Sequence, residues 1–249
     1  MKVATWNVNG IRAREAQFVE WIESAAPDVV CLQEIKAARE QVPAAIRDLP
    51  GYWNYWHGAS GGYSGVSIHL RRETFIERPV FSHPGHDTET RIVQARACGT
   101  SFASVYIPNG GKDYEAKLAF LAAMEGYVAE AQKEGGLILC GDMNVARTDA
   151  DIHPTHNKPG IIGTRPDERG LLERMIGRGL VDVARMLDPD NDRLFTWWPF
   201  WKVARQRNLG WRIDYIFASE PIARTASACT VFRDIGTSDH APVMVTFAM

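Results

Sequence analysis

Short apolar runs that end abruptly in a polar turn are what most constrain this fold. The clearest is Leu137-Ile138-Leu139-Cys140, which passes through Gly141 into Asp142-Met143-Asn144. Four apolar residues in a row read as a buried strand. Gly141 is expected to end the strand and turn the backbone sharply. If the chain stays extended, Asp142 and Asn144 then lie on one face. A carboxylate and an amide on a rigid strand end can hold a water or a metal ion. An Asx turn closing the strand would use the same residues.

The pattern recurs. Val3-Ala4-Thr5-Trp6 leads into Asn7-Val8-Asn9-Gly10, and Val29-Val30-Cys31-Leu32 leads into Gln33-Glu34. Between them, 14–26 reads as an amphipathic helix with Phe18, Ile22 and Ala25 or Ala26 on one face, closed by Pro27-Asp28. A strand over 102–106 leaves through Tyr106-Ile107-Pro108-Asn109-Gly110-Gly111, with Lys112 just beyond. A helix over 114–133, with Leu118, Leu121 and Val128 in its core, then leads into the strand at 137–140. Two strand-helix-strand units result, the second mirroring the first, and the chain reads as α/β. Further strands are expected over 92–97, 213–219, 228–232 and 243–247. A helix is expected over 167–178, stopped by Gly179. Val66, Ile68 and Leu70 alternate with Ser67, His69 and Arg71, as in a half-buried strand with His69 at the surface. The stretch 81–89 reads as loop, and 51–64 is aromatic and glycine-rich.

Among 249 residues there is no linker, short repeat or low-complexity tract, so one domain over 1–249 is expected. No apolar run is long enough to cross a bilayer, and a strand beginning at Lys2 leaves no room for a signal peptide. The four cysteines are far apart. Cys31 and Cys140 sit inside apolar strands and read as reduced core residues, which favours the cytoplasm. A net charge of -2 excludes a wholesale basic surface, so a polyanionic partner needs a local patch.

Residues 193–212 offer one. Half of the chain's eight tryptophans fall there, with Arg193, Lys202, Arg205, Arg207 and Arg212 and no acid. Aromatic faces interleaved with cations suit nucleic acid, the rings stacking on bases and the charges meeting phosphate. A Trp-rich core loop with solvated arginines is the plainer alternative. The loop 149–166 is long, and its His153 and His156 lack the helix that would support a metal pair.

The polar strand ends are Asn7, Asn9, Glu34, Tyr106, Asn109, Asp142, Asn144, Asp214, Asp239 and His240. Oxygen donors dominate, which points to a hard ion such as Mg²⁺, with Mn²⁺ able to substitute, rather than zinc. Hard ion, carboxylates, Asn and His together suit phosphodiester hydrolysis by an activated water.

Seven blocks then carry a resemblance: W-N-V-N-G-I-R, L-Q-E-I-K, G-Y-S-G-V, Y-I-P-N-G, G-D-M-N-V-A, G-W-R-I-D-Y and S-D-H-A-P, in that order. They resemble the signature blocks of the exonuclease III family of apurinic/apyrimidinic endonucleases, over Val3 to Phe247. The resemblance implies a four-layer αββα sandwich of two similar halves with two packed mixed sheets. It implies Mg²⁺-dependent cleavage 5′ to abasic sites in duplex DNA, with 3′-to-5′ exonuclease and 3′-end trimming, by a monomer. By position, Glu34 matches the chief metal ligand, with Asn9 and Asp239 beside it. Asp142 matches the residue that orients or deprotonates water, helped by Asn144 and Asn7; whether Asp142 and Asn144 hold a second metal stays open. Tyr106, Asn109 and His240 match donors to the scissile phosphate, and Asp214 the carboxylate behind His240. Arg12, Lys36, Tyr63 and Lys112 match positions that hold DNA strands, and Trp197 and Trp211 the walls of a pocket for an extruded base-free sugar. Asn9, an aspartate in some relatives, leaves the metal shell one charge short. Two other readings are a lipid phosphodiesterase on the same fold and a catalytically dead DNA-binding module.

Overall fold

The computed structural model of the chain describes residues 1–201 and 203–248. In chain order come β1 (Lys2–Asn7), α1 (Glu15–Ala25), β2 (Val29–Gln33), α2 (Ala44–Arg47), β3 (Tyr52–His57), β4 (Val66–Arg71), β5 (Val80–Ser82), β6 (Ile92–Ala97) and β7 (Thr100–Tyr106). Then follow α3 (Tyr114–Ala131), β8 (Gly136–Asp142), α4 (Pro166–Ile176), β9 (Leu180–Asp182), α5 (Val183–Leu187), β10 (Asp214–Ser219), α6 (Glu220–Ala223), β11 (Ala226–Val231) and β12 (Val243–Phe247). The strands form two six-stranded sheets, ordered β11-β12-β1-β2-β4-β3 and β5-β6-β7-β8-β10-β9.

Each sheet is built around one parallel pair. β1 and β2 are joined through α1, and β7 and β8 through α3. Their outer neighbours are antiparallel, β12 on β1 and β10 on β8. The mirrored strand-helix-strand units are therefore present, and both sheets are mixed.

Successive residues of a strand face opposite ways, so a strand sandwiched on both sides is apolar throughout. Ile138 and Cys140 of β8 point at the first sheet, meeting a core that includes Val3, Cys31 and Ile68. Leu137 and Leu139 point outward to Leu121 and Val128 of α3 and to Leu172 and Met175 of α4. On the other outer face, Phe18, Trp21 and Ile22 of α1 cover Trp6, Val30 and Leu32. The layers are helix, sheet, sheet, helix.

Several local expectations are corrected. β8 does not end at Gly141 but runs on to Asp142. The glycine instead permits close approach: a Cβ there would sit 1.9 Å from the carbonyl oxygen of Val105. His69 is not at the surface but fully buried, because the polar side of β4 faces helix α1 rather than water. Its ring meets Ser67 at 2.9 Å and Asn54 at 2.8 Å, and burial pushes its pKa down to about 3, so it is neutral. The stretch 81–89 is not all loop, since β5 pairs with β6 at its start. The first helix is preceded by a 3-10 turn, Ile11–Arg14, and α4 stops at Ile176, before Gly177 rather than Gly179.

Candidate active cleft

The two parallel units end in matching turns. At the end of β1 the Asn9 amide donates to Asn7 Oδ1 at 3.0 Å, and at the end of β8 the Asn144 amide donates to Asp142 Oδ1 at 2.9 Å. Asn9 and Asn144 are both left-handed, with φ of 45° and 50°. The chain is thus not extended here, contrary to expectation. The Asx turn is itself what aims the polar groups, because Asn tolerates this conformation and an Asx side chain closes it. Glu34 and Lys36, also left-handed at φ 54° and 52°, carry the end of β2 to the same rim.

There the side chains converge. Asn7, fully buried, donates Nδ2 to Glu34 at 3.0 Å and to Asp142 Oδ2 at 2.9 Å, tying one sheet to the other. His240 bonds Asp214 through Nδ1 at 2.9 Å and lies 3.8 Å from Asp142 through Nε2. Asn9 donates to Asp239 Oδ1 at 2.8 Å, and Trp197 donates its indole N–H to Oδ2 at 2.9 Å. The Lys36 ammonium sits between Glu34 Oε1 at 2.8 Å and Asn9 Oδ1 at 2.6 Å. These groups surround a cleft of about 470 Å³ whose lining also includes Tyr106, Asn109, Asn144 and Trp211. Asn7 and Asp214 lie beneath it, and Arg12, Tyr63 and Lys112 are exposed beside it. Arg12 donates to the Lys36 carbonyl at 3.4 Å, and Lys112 lies 5.8 Å from the Tyr63 ring. A wider hollow of about 570 Å³ between Phe195 and Val231 gathers no such set of donors.

Burial sets the charges. For Asp142 the loss of water is the largest influence and raises its pKa to about 7, with His240 pulling it down and Asp214 pushing it up. Burial opposes charge on His240 too, but Asp214, then Asp142 and Asp239, outweigh it and raise its pKa to about 10. Asp239 is held below the usual carboxylate range: burial opposes this, and His240, Asn9 and Trp197 overcome it. Burial and the charges of Glu34 and Asp142 push the Tyr106 phenol up, so it keeps its proton. Among the described residues, Asp142, Asp214 and His240 form the one group of three histidine, cysteine or carboxylate side chains whose ligand atoms lie within 4.8 Å of one another.

Sequence reading missed several supports. Thr196 donates to Asp214 Oδ2 at 2.6 Å and so braces the carboxylate behind His240. Arg91, almost fully buried, stacks 4.8 Å from the Tyr106 ring and donates to the Tyr63 hydroxyl at 2.6 Å. The loop 149–166 supplies Ile161 and Ile162 to the cleft, and its His156 accepts from the Trp211 indole at 3.3 Å. His153 bonds Thr155 at 2.8 Å, and the two imidazoles meet edge-on with centroids 6.2 Å apart.

The basic segment 193–212 is corrected in part. Arg212 is 2% exposed and bonds both oxygens of Asp182, at 2.9 and 2.8 Å, and Asp151 at 2.7 Å. Arg205 lies over Trp198 and donates to three backbone carbonyls. Both arginines are structural: acids distant in the chain pair with Arg212, and backbone carbonyls of 233–238 take up Arg205. Arg193, Arg207, Phe200 and Trp201 remain exposed, and Lys202 lies outside the described residues.

Comparisons with known proteins agree with this geometry. The profile of the Endonuclease/Exonuclease/phosphatase family matches residues 4–240. An exodeoxyribonuclease of Bacillus subtilis is 32% identical over 98% of both chains. An AP endonuclease structure from Archaeoglobus fulgidus and a 3′ phosphatase from Neisseria, NExo, bound to a product DNA hairpin, each superpose with a TM-score of 0.90. Each is 30% identical and covered in full, as is this chain. The chain belongs to the endonuclease/exonuclease/phosphatase family and, within it, to the exonuclease III family.

Proposed function

We propose that this protein is a DNA-repair nuclease that hydrolyses the backbone 5′ to abasic sites in duplex DNA and trims 3′ ends. The observation that carries this is the meeting of Glu34, Asp142 and His240, from both sheets, beside a pocket walled by Trp197 and Trp211. The donors fit a hard divalent ion: Glu34, Asn9 and Asp239 offer oxygen alone, and two of these oxygens already hold the Lys36 ammonium. Glu34, Asn9 and Asp239 would bind Mg²⁺, with Mn²⁺ a substitute, and Asp142 and Asn144, which line the same cleft, are the candidates for a second ion. Asn7 suits alignment better, since its Nδ2 is committed to two carboxylates and its Oδ1 to the Asn9 amide. When bound, the ion would neutralise charge building on the phosphate and leaving oxygens.

The chain's own groups supply the rest. Asp142, with a pKa of about 7, is matched to take a proton from the attacking water near neutral pH. His240 keeps a proton and donates from Nε2 to a phosphate oxygen, held in place by Asp214 and Thr196. Tyr106 and Asn109 donate to the remaining oxygens. Trp197 and Trp211, with ring centroids 5.9 Å apart at 89°, form a corner that takes a base-free sugar and excludes one carrying a base. Arg12, Lys36, Tyr63 and Lys112 hold the strands, and exposed Phe200 and Trp201 offer further stacking faces. The chain acts as a single domain over 1–249, since both sheets contribute to the site, and as a monomer, since one chain supplies every group that lines it. Free, buried Cys31 and Cys140 suit a reducing cytoplasm; no helix among the described residues is long and apolar enough to cross a membrane.

The test is to incubate the protein with a single-abasic-site duplex and with a 3′-recessed duplex, in Mg²⁺ and in EDTA. Nicking 5′ to the lesion and 3′ shortening, both only with Mg²⁺, are expected. Binding of the abasic duplex without nicking would leave only a DNA-binding module, and cleavage of inositol phosphates in place of DNA would reassign the site.

A further inference from the structure

Lys117 and Glu168 carry opposite charges with no solvent exposure at all, and the chemistry above uses neither. Lys117 comes from α3 and Glu168 from α4, and the two side chains form an ion pair. Burying a charge is costly unless it is paired and hydrogen-bonded. Both here have further bonds, and those bonds reach the cleft. The Lys117 ammonium donates to the backbone carbonyl of Asn144 at 2.8 Å. Glu168 accepts the amides of Gly163 and of Arg165, the latter at 2.9 Å, in the segment that presents Ile161 and Ile162 to the cleft. The two anchor points touch: a Cβ on Gly163 would lie 3.4 Å from the Asn144 carbonyl oxygen and 2.8 Å from the Trp211 ring.

We infer that Lys117 is a positioning residue, fixing the left-handed turn at Asn144 and so the aim of Asp142, with Glu168 coupling that turn to the pocket wall. Asn tolerates a left-handed backbone without enforcing it, so the bonds around it decide whether the turn is held. At Asn144 they hold it. Its amide is committed to Asp142 and its side chain to the Ile107 carbonyl at 2.9 Å, which leaves its own carbonyl as the group Lys117 holds. The pairing also explains why a full charge stands where a leucine would pack: an aliphatic side chain would leave the Asn144 carbonyl unbonded.

This rests on the nuclease reading, so the wild-type protein is run beside every variant. Lys117→Met alone would strand a buried carboxylate, and the resulting loss of stability would confound the reading. The informative variant is Lys117→Met with Glu168→Gln, which removes both charges at similar volume. Two quantities are read: steady-state kinetics on the abasic duplex, and amide hydrogen exchange by NMR. The expected result is a fall in kcat on the order of 10²-fold, the size of a roughly 1 Å misplacement, with KM changed less than about threefold. The Asn144 amide should exchange faster while those of Leu121 and Val128 in α3 stay protected. A variant with near wild-type kcat would overturn the inference. So would a fall in kcat with protection lost equally along α3 and α4, because the pair would then be a stability element only. Failure of the wild-type protein to nick would count against the nuclease reading, and the exchange pattern would still test the inference.

Discussion

Asp142 and His240 sit in the same dry place, yet one leans toward neutrality and the other toward charge. Burial disfavours charge on both and dominates for Asp142, whereas on His240 the Asp214 carboxylate at 2.9 Å outweighs it. The pH profile of kcat/KM follows in sign. Asp142 must lose its proton to serve as base, so activity rises as pH passes about 7. His240 must keep its proton to donate, so activity falls as pH passes about 10. Asp214→Asn removes the charge that holds the proton on His240, and the alkaline limb should move to lower pH. A limb that stays in place in this variant would mean another group titrates there. Replacing Asp142 or His240 by alanine should cut nicking of an abasic duplex by roughly 10²- to 10⁴-fold, the usual weight of acid-base groups. A mobility-shift assay should show binding largely spared. Nicking near the parent rate in either variant would reject these roles.

At the scale of elements, the site is a set of strand ends held by the segments that follow them. The start of β10 shows this. Arg212 is locked to Asp151 and Asp182, and the neighbouring Trp211 packs with Ala146, Ile152 and Ile213. Loop 149–166 closes over this wall, with Gly163 at φ 97° pressed against the Trp211 ring. Gly163→Ala would strain the backbone and push the ring, and should destabilise the fold by about 1–3 kcal/mol. In a chemical denaturation it should lower the midpoint without changing the slope. Trp211→Ala removes the wall and leaves the catalytic groups in place. It should weaken cleavage at an abasic site more than trimming of a simple 3′ end, whereas equal losses on the two substrates would reject the pocket. The elements themselves were legible where periodicity was strong. β12 falls on 243–247 as read, and β6 on 92–97. What alternation could not show was whether the polar side of a strand meets water or another layer, which is why His69 was misplaced. Nor could spacing show that a left-handed Asn, rather than an extended chain, brings Asp142 and Asn144 together.

Over the whole molecule, sequence order and spatial order part company, and that limits what could be read in advance. Glu34 and Asp239 are far apart in the chain, and only a sheet that pairs β12 with β1 brings Asp239 beside Asn9. Arg212 finds its acids in the same way, so a stretch that looks like a free basic patch in one dimension is half core in three. The blocks of residues around the cleft were readable because each sits at a strand end; the braces, Thr196, Arg91 and Lys117, were not, since they act from elements with no motif of their own. The same topology bears on whether the halves are separable. β11 and β12 are last in sequence but complete the first sheet, so the chain must finish before β1 has its second neighbour. Buried polar contacts also cross between the sheets, Gln33 to Ser104 at 3.0 Å and Asn7 to Asp142 at 2.9 Å. Separating the halves would also expose the apolar faces the sheets bury against each other, Val3, Cys31 and Ile68 against Ile138 and Cys140, at a cost of roughly 25 cal/mol per Å². One cooperative unfolding transition is therefore expected in urea, coincident by far-UV circular dichroism and by tryptophan fluorescence. Two transitions, with one sheet melting before the other, would mean that each half is stable alone and that the cleft is an interface between domains. Deleting 226–249 should do more than remove Asp239 and His240: it would bare the N–H and C=O groups along β1, and an open strand edge of that kind aggregates. A soluble, cooperatively folded truncation would show that the first sheet does not need its last two strands.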